Sequence, residues 1–107
     1  MSIIKGDLMH YVYIIYSQKI DRYYTGISVD PKNRLAQHKN KHYTGAYTRI
    51  ANDWQMFLVI QCENRKIAER VEAHIKKMKS KIFIANLKKY PELVDKIKKR
   101  FTQGSLR

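Results

Sequence analysis

Tyr11, Tyr13 and Tyr16 fall in one Val/Ile-rich stretch, and Tyr23 and Tyr24 fall in the next. Strand alternation puts Tyr11 and Tyr13 on one face and Val12, Ile14 and Tyr16 on the other. A short connection between the stretches sets Tyr13 near Tyr24. Strands favour tyrosine without any function, so the pair alone says little. Arg34 and His38 are four residues apart and share a helix face. An arginine there is ordinarily a solvent residue. Glu72 stands among Ala68, Val71 and Ile75, at positions that flank or join an apolar helix stripe. A carboxylate there is costly unless it is paired or metal-bound. An ion pair with Lys76, one turn on, balances the metal reading evenly. Gly26 marks a bulge, or a point where something must approach the backbone closely.

These residue types fit hydrolysis of a phosphodiester. That reaction needs an attacking water, a base, a cation for the pentavalent phosphate and help for the leaving oxygen. A lone carboxylate can hold one Mg²⁺ that keeps most of its waters. The guanidinium fork of an arginine suits developing phosphate charge. A tyrosine or a histidine can take the proton from water. The tyrosine needs nearby cations to lower its pKa from about 10.

The elements that must position these groups follow from local pattern. His10 to Ser17 and Arg22 to Ser28 read as strands, joined by the short polar run Gln18 to Asp21. Asp30-Pro31 opens a helix to about Asn40, with Asp as cap and Pro in the first turn. Lys41 to Gln55 reads as a loop and Met56 to Cys62 as a third strand. Asn64 caps a second helix with Ala68, Val71, Ile75 and Met78 as its apolar stripe. Ser80 breaks it, Ile82 to Lys89 forms a third helix, and Pro91 opens a last one that frays from Thr102. The expected fold is α+β, a small three-stranded antiparallel sheet flanked by helices in the order ββα-β-αα(α). Residues 1–8 read as a flexible lead-in, 9–90 as the main domain, and 91–107 as a basic helix and tail of the same domain.

Charge narrows the partner. The chain has 107 residues, with Lys+Arg 22 against Asp+Glu 9, a formal net charge of +13. Residues 76–100 alone carry ten of those cations, with only Glu92 and Asp95 as acids. A polyanion is the usual reason for such an excess. One cysteine excludes a disulfide framework and a thiolate-rich zinc site. No apolar run approaches the ~20 residues of a bilayer span, and no secretory signal is visible, so no membrane partner and a cytoplasmic location are expected. His38 and His42 are four apart but lack further ligands for a metal. His74 lies off the Glu72 face and is expected to be exposed. Cys62 is expected to be core. Trp54 is expected to pack, although a loop tryptophan can also stack on a base.

Tyr11-Val12-Tyr13 followed by Tyr24-Thr25-Gly26 resembles the paired motif of the GIY-YIG nuclease superfamily. The likeness continues through Asp30 to His38, Tyr47-Thr48-Arg49, Arg70-Val71-Glu72 and Ile75 to Lys79. It covers about residues 9–90 and is similar to the small single-domain bacterial members. It implies that Tyr13 touches the attacking water and serves as base, and that Tyr24 orients the water or the phosphate. Arg34 would stabilise phosphate charge, with His38 as base helper or phosphate contact. Glu72 would hold the single Mg²⁺ or Mn²⁺. Gly26, Tyr47, Arg49, Lys76 and Lys79 would contact substrate, Gly26 by letting the substrate backbone come close. Tyr11 replaces the glycine that names the first motif, and Trp54 stands near where many relatives have proline. Asn86 is the nearest candidate for an asparagine that larger relatives use. Relatives with repair, restriction or homing roles usually take their targeting from attached domains, so a targeting protein partner is implied.

The leading expectation is therefore a metal-dependent DNA endonuclease, structure-directed or weakly specific, with DNA ahead of RNA. The alternatives are a nucleic-acid-binding module of the same fold with little or no cleavage, and an RNA- or ribosome-associated protein.

Overall fold

A computed structural model describes residues 9–40 and 47–104, the side chains of 47, 48, 103 and 104 excepted. The lead-in of residues 1–8, His42 and the last three residues lie outside the described part.

Three strands and four helices follow in the order β1 (His10–Ser17), β2 (Arg22–Ser28), α1 (Pro31–Lys39), a short 3₁₀ turn (Tyr47–Ile50), β3 (Gln55–Cys62), α2 (Arg65–Met78), α3 (Lys81–Lys89) and α4 (Pro91–Gly104). The sheet is antiparallel with β1 in the middle, in the order β2-β1-β3. This is the expected α+β architecture. Each helix start has a chemical cause. Asp30, Asn64 and Ser80 each accept a backbone N–H from the first turn of α1, α2 and α3, which satisfies a donor the helix cannot. Pro31 and Pro91 occupy first helical positions, where the missing N–H costs nothing. Lys79, at φ 48°, ends α2 in the left-handed region.

β1 is buried on both faces because each face has its own cover. Val12 and Ile14 join Ile60 and Cys62 under Ala68, Val71 and Ile75 of α2, with Leu87 and Ile97 beyond. Tyr13 and Ile15 face the other way, into a smaller cluster with Ala51 and Trp54, edged by Leu35, Tyr24 and Met56. Fully burying each such aliphatic side chain contributes about 1.5–3 kcal/mol.

Some expectations need correction. The β1–β2 register runs unbroken past Gly26, so no bulge lies there. The irregularity is in β3. Leu58 pairs with Ile14 and Met56 with Ile15, which leaves Phe57 as an extra residue. That extra residue puts Phe57 and Leu58 both on the α2 side, while Met56 faces Tyr13. The expected loop at 41–55 contains the 3₁₀ turn, and its last residue already belongs to β3. Ser80 starts α3 as its cap rather than merely breaking α2. Helix α4 runs on through Thr102 to Gly104 instead of fraying. Trp54 is fully buried and unavailable for base stacking. His74 is half-buried, with its ring against Phe83 and Phe101 at 6.0 and 5.7 Å. Cys62 is buried, as expected, and burial pushes its thiol pKa up.

Candidate active site

Tyr13 is the pivot. Central in the sheet and 1% exposed, its ring crosses to the backbone of Gly26, its partner on β2. A Cβ built on Gly26 falls 2.5 Å from the Tyr13 hydroxyl oxygen and 2.7 Å from Cζ. The space over Gly26 is thus filled by the phenol, and the missing side chain is what seats it. Tyr24, two residues earlier on β2, lies diagonally across from Tyr13, with ring centroids 6.4 Å apart.

His38 enters from α1. It is 1% exposed, and its Nε2 lies 2.9 Å from the Tyr13 hydroxyl. Its ring also packs edge-on to Tyr24 at 5.2 Å. Burial, with a smaller contribution from Arg34, lowers the His38 pKa below the ordinary 6.5. His38 is therefore neutral at pH 7. With its proton on Nδ1, the bare Nε2 accepts the Tyr13 O–H. The Tyr13–His38 pair can then relay a proton. A proton taken by the Tyr13 oxygen from an outside donor is balanced by one passed to His38.

Arg34 lies one turn before His38. It is half-buried and lines a cleft of about 240 Å³ with His10, Ser28 and Arg65, at the far end of β2. It acts on His38 electrostatically, yet it faces a different opening from Tyr24.

Glu72 is on the other flank. Its side chain is 21% exposed and its Oε2 pairs with Lys76 Nζ at 3.1 Å. The Lys76 ammonium lies over the Tyr24 ring at 5.8 Å. A chain of contacts thus runs from His38 and Tyr13 through Tyr24 to Lys76 and Glu72. Lys79 lines the same groove as Tyr24 and Lys76. Arg49 is exposed on the 3₁₀ turn, just before Ala51 and Trp54, which pack on the Tyr13 side of the sheet. The Tyr47 side chain lies outside the described residues. Asn86 is half-buried on α3. Sequence reasoning missed Arg22 and Arg65. Arg22 was legible, since alternation puts it on the Tyr24 side of β2. Arg65 carried no such signal, because its place depends on how α2 meets the sheet.

The model of the GIY-YIG catalytic domain matches residues 9–90. The chain belongs to the GIY-YIG family. No curated protein and no solved structure matches it. The match begins one residue before β1 and ends with α3, so it takes in the whole contact chain from Tyr13 to Glu72 and leaves α4 outside. GIY-YIG domains are endonuclease-type nucleases, which makes nucleic acid the substrate class. They are generally dependent on a divalent metal. Among the described residues no helix is long and apolar enough to cross a membrane.

Proposed function

We propose that this GIY-YIG protein is a DNA endonuclease, structure-directed or weakly specific, using one Mg²⁺ or Mn²⁺ ion. The observation that carries the reading is the 2.9 Å contact between the buried Tyr13 hydroxyl and the neutral His38, with Tyr24 against both rings. A buried tyrosine on a neutral histidine is a base with somewhere to send its proton.

The donor set suits a single, water-rich ion. Among the described residues no three His, Cys, Asp or Glu side chains cluster, so a cage of protein ligands is excluded there. Glu72 is a lone, partly shielded carboxylate. That is enough for Mg²⁺, which keeps several waters and takes one or two carboxylates. Glu72 would hold the ion, and the ion would supply positive charge for the phosphate oxygens. The chain's own groups do the rest. Tyr13 takes the proton of the attacking water and shares it with His38. Tyr24 orients the phosphate beside them. Arg34, which faces a separate cleft, adds longer-range positive charge through the helix it shares with His38 as the phosphate gains charge. Arg49, Tyr47, Lys76 and Lys79 hold the flanking backbone, and a protein partner supplies targeting.

One observation favours the binding-module alternative. Lys76 already neutralises Glu72, as it would in a site without metal. Glu72→Ala separates the two readings. In the endonuclease, Mg²⁺- or Mn²⁺-dependent cutting of end-labelled branched, nicked and plain duplex DNA disappears with Glu72→Ala, while DNA affinity changes less than about threefold. Binding without cutting by the unaltered protein under every metal condition favours the module. Cutting retained by Glu72→Ala removes the metal role from that residue.

A further inference from the structure

Beside Tyr24, strand β2, the end of α2 and the start of α3 enclose a groove of about 580 Å³. Its lining divides by chemistry. Ile75, Ile84, Tyr23 and Tyr24 provide apolar and aromatic surface. Arg22, Lys76, Lys79 and Lys81 provide positive charge, and among the described residues no acidic side chain lines it. Asp21 holds the Lys81 ammonium at 2.7 Å, and Glu72 holds that of Lys76. Neither Arg22 nor Lys79 has a carboxylate within ion-pair distance among the described residues.

The Tyr24 ring beside a cationic rim suits a nucleotide, with the base on that ring and the phosphate on the cations. The volume falls within the ~300–1,000 Å³ typical of sites for one small ligand. It takes one nucleotide and not a base-paired helix. The groove is also continuous with the catalytic cluster, because Tyr24 lines it and packs on His38. A strand with its phosphate at Tyr13 and Tyr24 can put the next nucleotide into the groove only if that nucleotide has left its duplex.

We infer that this groove is a subsite for one unpaired nucleotide adjoining the scissile phosphate. The substrate class is then DNA carrying a single-stranded extension next to a duplex. The inference rests on the endonuclease reading for its scissile phosphate, and on the groove alone for its binding preference.

Fluorescence anisotropy in EDTA tests binding apart from cleavage. The probes are a blunt duplex and the same duplex with a single-stranded extension. The unaltered protein is expected to bind the extended DNA about tenfold tighter. In Arg22→Ala/Lys81→Ala that ratio falls toward one. In the charge-preserving Arg22→Lys/Lys81→Arg it recovers, which guards against a folding defect in the alanine pair. Equal affinity for both probes, an unchanged ratio in the alanine pair, or equally tight capture of a free mononucleotide overturns the subsite. A parallel Mg²⁺ cleavage assay keeps the two readings distinguishable. Preference without any cutting leaves the subsite standing and removes the nuclease. Cutting without preference does the reverse.

Discussion

Gly26 shows how one atom can decide the geometry of the site. Tyr13 cannot retreat from an added Cβ, because its ring is buried and its hydroxyl is hydrogen-bonded to His38. Gly26→Ala should therefore displace the phenol, break the contact with His38 and destabilise the protein by about 1–3 kcal/mol, as overpacking does. Thermal melting and DNA-cleavage rates on the same preparation check this. An unchanged melting temperature with full activity would mean that the ring has room the structure does not show. The tyrosine positions and the α1 pair were readable from alternation and helical spacing. The reason for the glycine was not. Local pattern can flag a glycine, but only the register of β1 against β2 reveals that Tyr13 fills the space above it.

At the scale of elements, the helical layer carries a second half-buried histidine. His74 of α2 is clasped by Phe83 of α3 and Phe101 of α4. Burial lowers its pKa below 6.5, helped by the cations Arg100 and Lys77. The unfolded chain therefore binds a proton more readily than the folded one. The stability cost is absent above pH 6.5 and grows as pH falls below it. His38 contributes in the same sense. His74→Leu removes one of the two contributions, so its melting temperature should fall less than that of the parent between pH 7 and pH 5. Parallel curves for the two proteins would show that His74 ionises in the fold without cost. Alternation and caps made β1, β2 and the helix starts legible, because those signals lie within a few residues. The surroundings of His74 depend on how three helices meet, and no short window contains that information.

For the whole molecule, the charge of +13 makes nucleic-acid affinity fall steeply with salt. The fold decides which cations matter. Helix α4 packs on the α2 side of the sheet, through Ile97, whereas Tyr13 lies on the opposite face. Lys76 and Lys79, by contrast, line the groove beside Tyr24. Neutralising Lys76 and Lys79 together should reduce the slope of log Kd against log salt by about 2, and neutralising Lys96 and Lys99 by less than about 1. Titrations of one duplex over a range of salt concentrations measure both. A larger loss from the α4 pair would move the footprint from the groove to α4. Composition alone could not rank the cations of residues 76–100, since it counts charges without regard to which of them line the groove.

The extra residue in β3 has a consequence for how order and stability relate. Without Phe57, Leu58 would still meet Ile14, Met56 would still meet Ile15, and the ladder would be regular throughout. The lost side chain is one that touches Tyr23 at 5.1 Å and lies beneath the Lys88 ammonium at 4.8 Å. A shortened chain would thus have the tidier hydrogen-bond lattice and the poorer interior. In this strand, geometric imperfection is the means by which one more aromatic ring reaches the helical side.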